Sequence, residues 1–120
     1  MNENDLKNRT KTFAKRVINL CSNLPKTQSA RMIGNQLFRS GTSVGANYRA
    51  ACRGRSKADF VSKLGIVLEE IDESMYWMEL LIETGIISED RLAPLLNEAN
   101  ELTAIIVASI NTSKKEKDAP

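Results

Sequence analysis

The sequence contains no histidine. That absence removes together the commonest general acid–base, the usual metal ligand and the usual member of a nucleophilic triad. Cysteine is scarce: Cys21 and Cys52 are the only two, spaced for neither a zinc knuckle nor a redox pair. Both sit at helix-like positions beside apolar neighbours, as small buried side chains do. Only three prolines occur, so little interrupts a helix. No apolar run approaches the roughly 20 residues of a membrane span. The N-terminus is polar and charged, unlike a signal sequence, so the expected location is the cytoplasm and no membrane partner is expected.

What is present is ordinary in kind and unusual in order. A chain of 120 residues, 42% hydrophobic and 27% charged, makes one domain with a real core. The expected unit is 1–120, frayed over 1–4 and 113–120. Its net charge of +2 conceals a polarity along the chain: through residue 63 there are 13 Lys and Arg against 3 acids, and from residue 64 onward 4 against 12. A basic half and an acidic half imply either contact with nucleic acid or pairing between helices or subunits.

The stretch from Ser29 to Gly54 organises the rest. Turned as a helix from Arg31, it places Ile33, Leu37, Val44, Tyr48 and Ala51 in one stripe between about 200° and 260°. Arg31, Arg39, Arg49 and Arg53 lie opposite. Gly34, Gly41, Gly45 and Cys52 flank the stripe on one side, small enough for a neighbouring backbone to approach closely. Gln36, Ser40, Ser43 and Asn47 form a polar seam on the other. Three interior glycines weaken a helix by roughly 3 kcal/mol, so the competing reading is a kink or loop at RSGTSVG between two shorter helices.

Three more helices follow from the same periodicity. The first runs from about Asp5 to Asn23, with Leu6, Phe13, Val17, Leu20 and Cys21 inward and Lys7, Lys11 and Lys15 four apart on the exposed side, where they repel. Pro25 ends it, and Thr27 or Ser29 caps the next. Gly54 suits the position just past the second helix, and Ser56 with Asp59 opens the third. Phe60, Leu64, Val67, Leu68, Ile71, Met75, Met78 and Ile82 then share an arc of about 100°. Tyr76 and Trp77 fall outside that arc, either against a second subunit or partly buried in the monomer. Thr84-Gly85 closes the third helix and Ser88 caps the fourth, whose apolar side is Leu92, Leu95, Leu96, Ala99, Leu102, Ile106 and Ile110. Pro94 falls early in it, where a missing N–H costs least. The fold class is all-α, an up-down-up-down four-helix bundle.

Signals for chemistry are weak. The acids of LEEIDE are not centred on an apolar stripe and have no histidine to complete a di-iron set. GTSVGAN lacks the Lys-Ser/Thr ending of a phosphate loop and follows no strand, and Ser40 and Ser43 have no base nearby. The sequence reads as a non-enzyme without cofactor or metal. What remains is binding: Arg31, Arg39, Arg49 and Arg53, continued by Arg55 and Lys57 and joined by Lys11 and Lys15 of the first helix, form a candidate basic surface for RNA or DNA. Only Tyr48 lies near the arginine row, and it points to the core, so the expected contacts are to the backbone and not by base stacking.

The run QLFRSGTSVGANYRAACRGRSKADFVSKLGIVLEEIDESMYWMELL resembles the 23S ribosomal RNA intervening-sequence proteins, which show an Arg-Ser, a Ser-Val-Gly-Ala-Asn, a Ser-x-x-Asp-Phe and a Trp on the next helix. Here these are Arg39-Ser40, Ser43 to Asn47, Ser56 to Phe60 and Trp77. Ala50 and Glu69 depart from the residues common there. The resemblance implies a four-helix bundle assembled as a ring, a homopentamer. The chain also resembles the accessory variability protein of diversity-generating retroelements, a pentameric bundle whose basic surface binds nucleic acid and a reverse transcriptase. Neither supplies catalytic residues. Two readings of function therefore stand: an oligomeric bundle that binds structured nucleic acid through its first two helices, or an interaction scaffold whose basic and acidic faces pair between subunits or with a partner protein.

Overall fold

The computed structural model describes residues 1–118. Four helices follow one another: α1 (Glu3–Ser22), α2 (Gln28–Cys52), α3 (Lys57–Glu83) and α4 (Glu89–Asp118). Connections this short force each helix to run antiparallel to its predecessor, giving an up-down four-helix bundle of 56 × 22 × 20 Å. α2 packs along α3, α1 along α2 and α3 along α4, while α1 and α4 meet along a thin seam.

The caps explain where the helices begin. Asn2 and Asp5 exchange hydrogen bonds, the Asn2 N–H donating to Asp5 Oδ2 (3.1 Å) and the Asp5 N–H to Asn2 Oδ1 (2.9 Å). This reciprocal cap starts α1 at Glu3, two residues ahead of the expected Asp5. Glu3 and Asn4 are thus helical, and α4 carries the tail from 113 on in helical form as far as Asp118; the remainder of the tail lies outside the described residues. Thr27 and Ser56 accept the N–H groups of Ala30 (3.2 Å) and Asp59 (3.1 Å). Gly85 adopts φ 74° and ends α3 with the paired Gly85 N–H to Ile82 O (3.0 Å) and Ile86 N–H to Leu81 O (2.9 Å) bonds of a Schellman turn. Gly54 has no such conformation. A Cβ there would lie 3.0 Å from Ala51 O and 3.2 Å from Phe60 N, so its role is close passage of the chain.

α2 is unbroken through RSGTSVG, and its glycines show why. A Cβ built on Gly34 would sit 2.7 Å from Leu24 Cδ1, on Gly41 2.8 Å from both Val17 methyls, and on Gly45 3.2 Å from Thr10 Oγ1. Contact with α1, and for Gly34 with Leu24 just past its end, offsets the propensity lost, so the close-packing face works within one chain. Thr10 is buried there, satisfied by donating to Leu6 O at 2.9 Å. On the polar seam, Ser43 Oγ donates to Arg39 O (2.6 Å) and Asn47 Nδ2 to Ser43 O (2.8 Å). Among the described residues the seam hydrogen-bonds to α3 at Ser40, through the buried Ser74–Ser40 hydroxyl pair (2.9 Å).

Phe13, Val17, Leu37, Val44, Leu64, Val67, Ile71, Met78, Leu92, Leu102 and Ile106 are fully buried. α3 buries Ser74 and Leu81 as well; they lie outside the expected arc because α3 has neighbours on two sides, and a single stripe understates a helix packed against both α2 and α4. Gly65, midway along α3, has nothing within 4 Å of an added Cβ. Gly65→Ala therefore gains about 0.5–1 kcal/mol of helix stability, measured by urea denaturation of the dilute protein. A loss instead would mean that another chain packs on that face.

Candidate nucleic-acid interface

No acidic residue stands between Asp5 and Asp59. The nearest acids are Glu3 and Asp5 in the first turn of α1, and Glu3 comes close to Cys52 at the end of α2, but among the described residues neither lies within ion-pair distance of a cation of α1 or α2. The start of α1 runs beside the end of α2. Four-residue spacing puts Lys7 and Lys11 on one face of α1 and Arg49 and Arg53 on one face of α2. The four line one groove of about 380 Å³ with Asn4 and Asn8. None has a carboxylate within ion-pair distance among the described residues. Four cations held this close raise the local potential and draw in an anion with several charges in a row, such as a phosphate backbone.

The other expected contacts separate. Arg39 turns toward α3, where its guanidinium pairs with Glu73 and lies 3.6 Å from Glu70. It is therefore not part of a free row. The Arg39 hydrogen bond holds the Glu73 carboxyl below the usual range. Burial pushes Glu70 upward although Arg39 opposes it, and Glu70 Oε2 is buried with no hydrogen-bond partner among the described residues. Trp77 is half-buried beside this cluster and donates Nε1–H to Glu73 Oε1 at 3.3 Å, while Tyr76, edge-on to it at 5.0 Å, stays 54% exposed.

Lys57 meets Glu116 at 3.0 Å, an exposed pair of small worth. The Arg55 backbone N–H donates to Asp59 Oδ2 (3.1 Å), which also receives Lys63 Nζ (3.1 Å); these bonds hold Asp59 below its ordinary value. Lys15 is exposed one turn beyond Lys11 and does not line the groove. Arg31 lies about 27 Å from Arg49 along α2 at 1.5 Å per residue, in a second groove with Lys26 and Phe38. The row of four arginines is thus two residues in one groove, one at the far end and one paired. The cause is that helical phase fixes direction and not which helix stands there.

The ring nearest the arginine row is Phe38, not Tyr48 as the sequence suggests. It is 45% exposed, and the available signal is its position only about 20° from the Arg31 direction. Tyr48 is buried, as expected, and burial raises its hydroxyl pKa. Burial likewise pushes the Cys21 thiol up to about 11, which keeps it protonated and unreactive.

Among the described residues no group of three or more Cys, Asp or Glu side chains gathers with metal-holding geometry, and no helix is long and apolar enough to cross a membrane. The class defined by these features is a small antiparallel helical bundle with a cationic groove between its first two helices. The chain belongs to the 23S rRNA-intervening sequence protein family, whose model matches residues 2–108. It is similar to a crystal structure from Bacteroides thetaiotaomicron described as a protein with unknown function from the S23 ribosomal protein family. That likeness has 38% identity and a TM-score of 0.86, and covers 92% of this chain and 99% of the other. No curated protein matches the chain.

Proposed function

We propose that this protein is a non-enzymatic binding protein that holds nucleic-acid backbone in the groove of Lys7, Lys11, Arg49 and Arg53. The observation that carries the reading is their convergence from two helices with no carboxylate within ion-pair distance among the described residues. Lys and Arg side chains without aromatic partners in that groove contact phosphate, which fixes position and carries no sequence information. Binding is then strong on any sufficiently long RNA or DNA at low salt. Arg55 and Lys57, just beyond the end of α2, extend the surface.

The proposed working form is a cytoplasmic homo-oligomer, a pentameric ring as the family resemblance implies. Ile66 and Val107 are large apolar side chains left exposed on α3 and α4 and supply surface for such contacts. A ring repeats the groove, and simultaneous engagement multiplies weak phosphate contacts. The resemblance to the accessory variability protein makes a reverse transcriptase a candidate protein partner.

A second reading, the interaction scaffold, draws support from the Arg9–Glu98 and Arg39–Glu73 pairs. They show basic and acidic halves already meeting within one chain. Changing Arg49 and Arg53 to Glu separates the two. We expect an assembly of unchanged mass in sedimentation that binds a labelled RNA duplex at least tenfold more weakly at low salt. Loss of the assembly itself would favour the scaffold, and unchanged RNA affinity would remove the nucleic-acid reading.

A further inference from the structure

The second groove of the α1–α2 face is built differently from the first. It occupies about 310 Å³ where the end of α1 meets the start of α2, with Leu24, Pro25 and Gly34 in its lining, and its mouth carries Lys26, Arg31, Asn35 and the ring of Phe38. Arg31 is exposed, and neither it nor Lys26 has a carboxylate within ion-pair distance among the described residues. A half-exposed phenyl ring beside two unpaired cations costs apolar exposure without serving the core, to which Phe38 does not belong.

We infer that this groove is a base-stacking subsite, which makes the preferred ligand a single-stranded segment of nucleic acid in place of a duplex. An aromatic face beside cations suits a nucleotide: the base lies on the ring and its phosphate meets the guanidinium and ammonium groups. In a duplex both faces of each base are already covered, so only an unpaired base can reach Phe38. The two grooves belong to one track. Arg31 and Arg49 are 18 residues apart, about five whole turns, so both project from the same side of α2 roughly 27 Å from each other. Phe38 lies between them on that side, and no acid interrupts the sequence of either helix from Leu6 to Cys52. A strand running along the α1–α2 valley would place its phosphates on the first groove and an unstacked base on Phe38.

The inference rests on the nucleic-acid reading above, and the test separates the two. Fluorescence anisotropy at low salt compares an oligouridylate of about 12 nucleotides with an RNA duplex of equal length. The proteins are the unaltered chain, Phe38→Ala, Phe38→Tyr and the Arg49→Glu, Arg53→Glu double variant. The expected result is tighter binding of the single strand by the unaltered chain. Phe38→Ala loses about tenfold or more on the single strand, little on the duplex, and Phe38→Tyr retains the affinity. If Phe38→Ala binds both ligands like the unaltered chain while the double variant binds neither, the subsite is wrong and the phosphate groove stands. If Phe38→Ala changes the mass in sedimentation and weakens both ligands equally, the ring is covered by a second copy and the inference falls. If the unaltered chain binds neither ligand, both readings fall.

Discussion

Gly41→Ala lowers the unfolding free energy by about 1–3 kcal/mol, even though alanine is the better helix former by about 1 kcal/mol. The added methyl would stand 2.8 Å from both Val17 methyls and 3.1 Å from its Cβ. Valine in a helix has one strongly preferred rotamer, so Val17 cannot swing clear, and α1 and α2 must separate locally along their shared contact. Relief should come from the other side of the contact: Val17→Ala alone leaves a cavity, yet combined with Gly41→Ala it costs less than the two single changes added together. Equilibrium denaturation of the four proteins gives the coupling. Strict additivity would mean that the interface yields at no cost and that glycine there is incidental.

The seam between α1 and α4 depends on fewer contacts, and one ion pair dominates it. Arg9 Nε and an Nη of the same guanidinium donate to the two oxygens of Glu98, each at 2.7 Å, with Glu101 3.3 Å away. The side chains are only 24% and 15% exposed, so the fork is shielded and stronger than a surface pair. These bonds raise the Arg9 pKa above its already high value. Glu98→Ala should cost about 1.5–3 kcal/mol, chiefly by leaving a half-buried guanidinium with a more distant partner. Changing Arg9 and Glu98 together to leucine should cost less than Glu98→Ala, because no charge is then left behind. A double change costing as much as Arg9→Leu and Glu98→Leu measured singly and added together would show that the two side chains act independently.

The architecture was legible because each helix carries a periodic apolar face and a chemically marked end. Asn2 is the exception: a polar residue ahead of the first apolar position carries no periodic signal, and its cap shows only in the structure. Glycines at 34, 41 and 45 could be read as a close-approach face from their direction alone, but the helix they approach is a matter of topology. The candidate site was legible by parts. Lys7, Lys11, Arg49 and Arg53 share a groove because antiparallel pairing brings the start of α1 to the end of α2, which the order of helices implies once their lengths are known. Arg39 was misread for the complementary reason. Its direction matched the other arginines, yet its long side chain reaches Glu73 on α3, and no single-helix projection contains the neighbour. Phe38 shows the converse: it belongs to no apolar stripe, lies in the direction of Arg31, and the fold leaves it 45% exposed.

Two consequences follow for the acidic half. Part of the charge polarity along the chain is used internally, through Glu70, Glu73, Glu98, Glu101 and Glu116, which meet cations of the basic half. The pairing is selective: it involves Arg9 and Arg39, which turn toward α4 and α3, together with Lys57 at the start of α3. The cations of the α1–α2 groove are among those left without an ion pair among the described residues, and the proposed function depends on them.

The most direct test of those cations is the affinity of the protein for a generic RNA duplex as a function of salt. Four cations each displacing a condensed counterion give a slope of log K against log salt of about −3 to −4. Replacing Lys7, Lys11, Arg49 and Arg53 by alanine should flatten the slope by most of that amount, and replacing Arg39 should leave it unchanged. A slope near zero in the unaltered protein, or one carried equally by Arg39, would contradict the account.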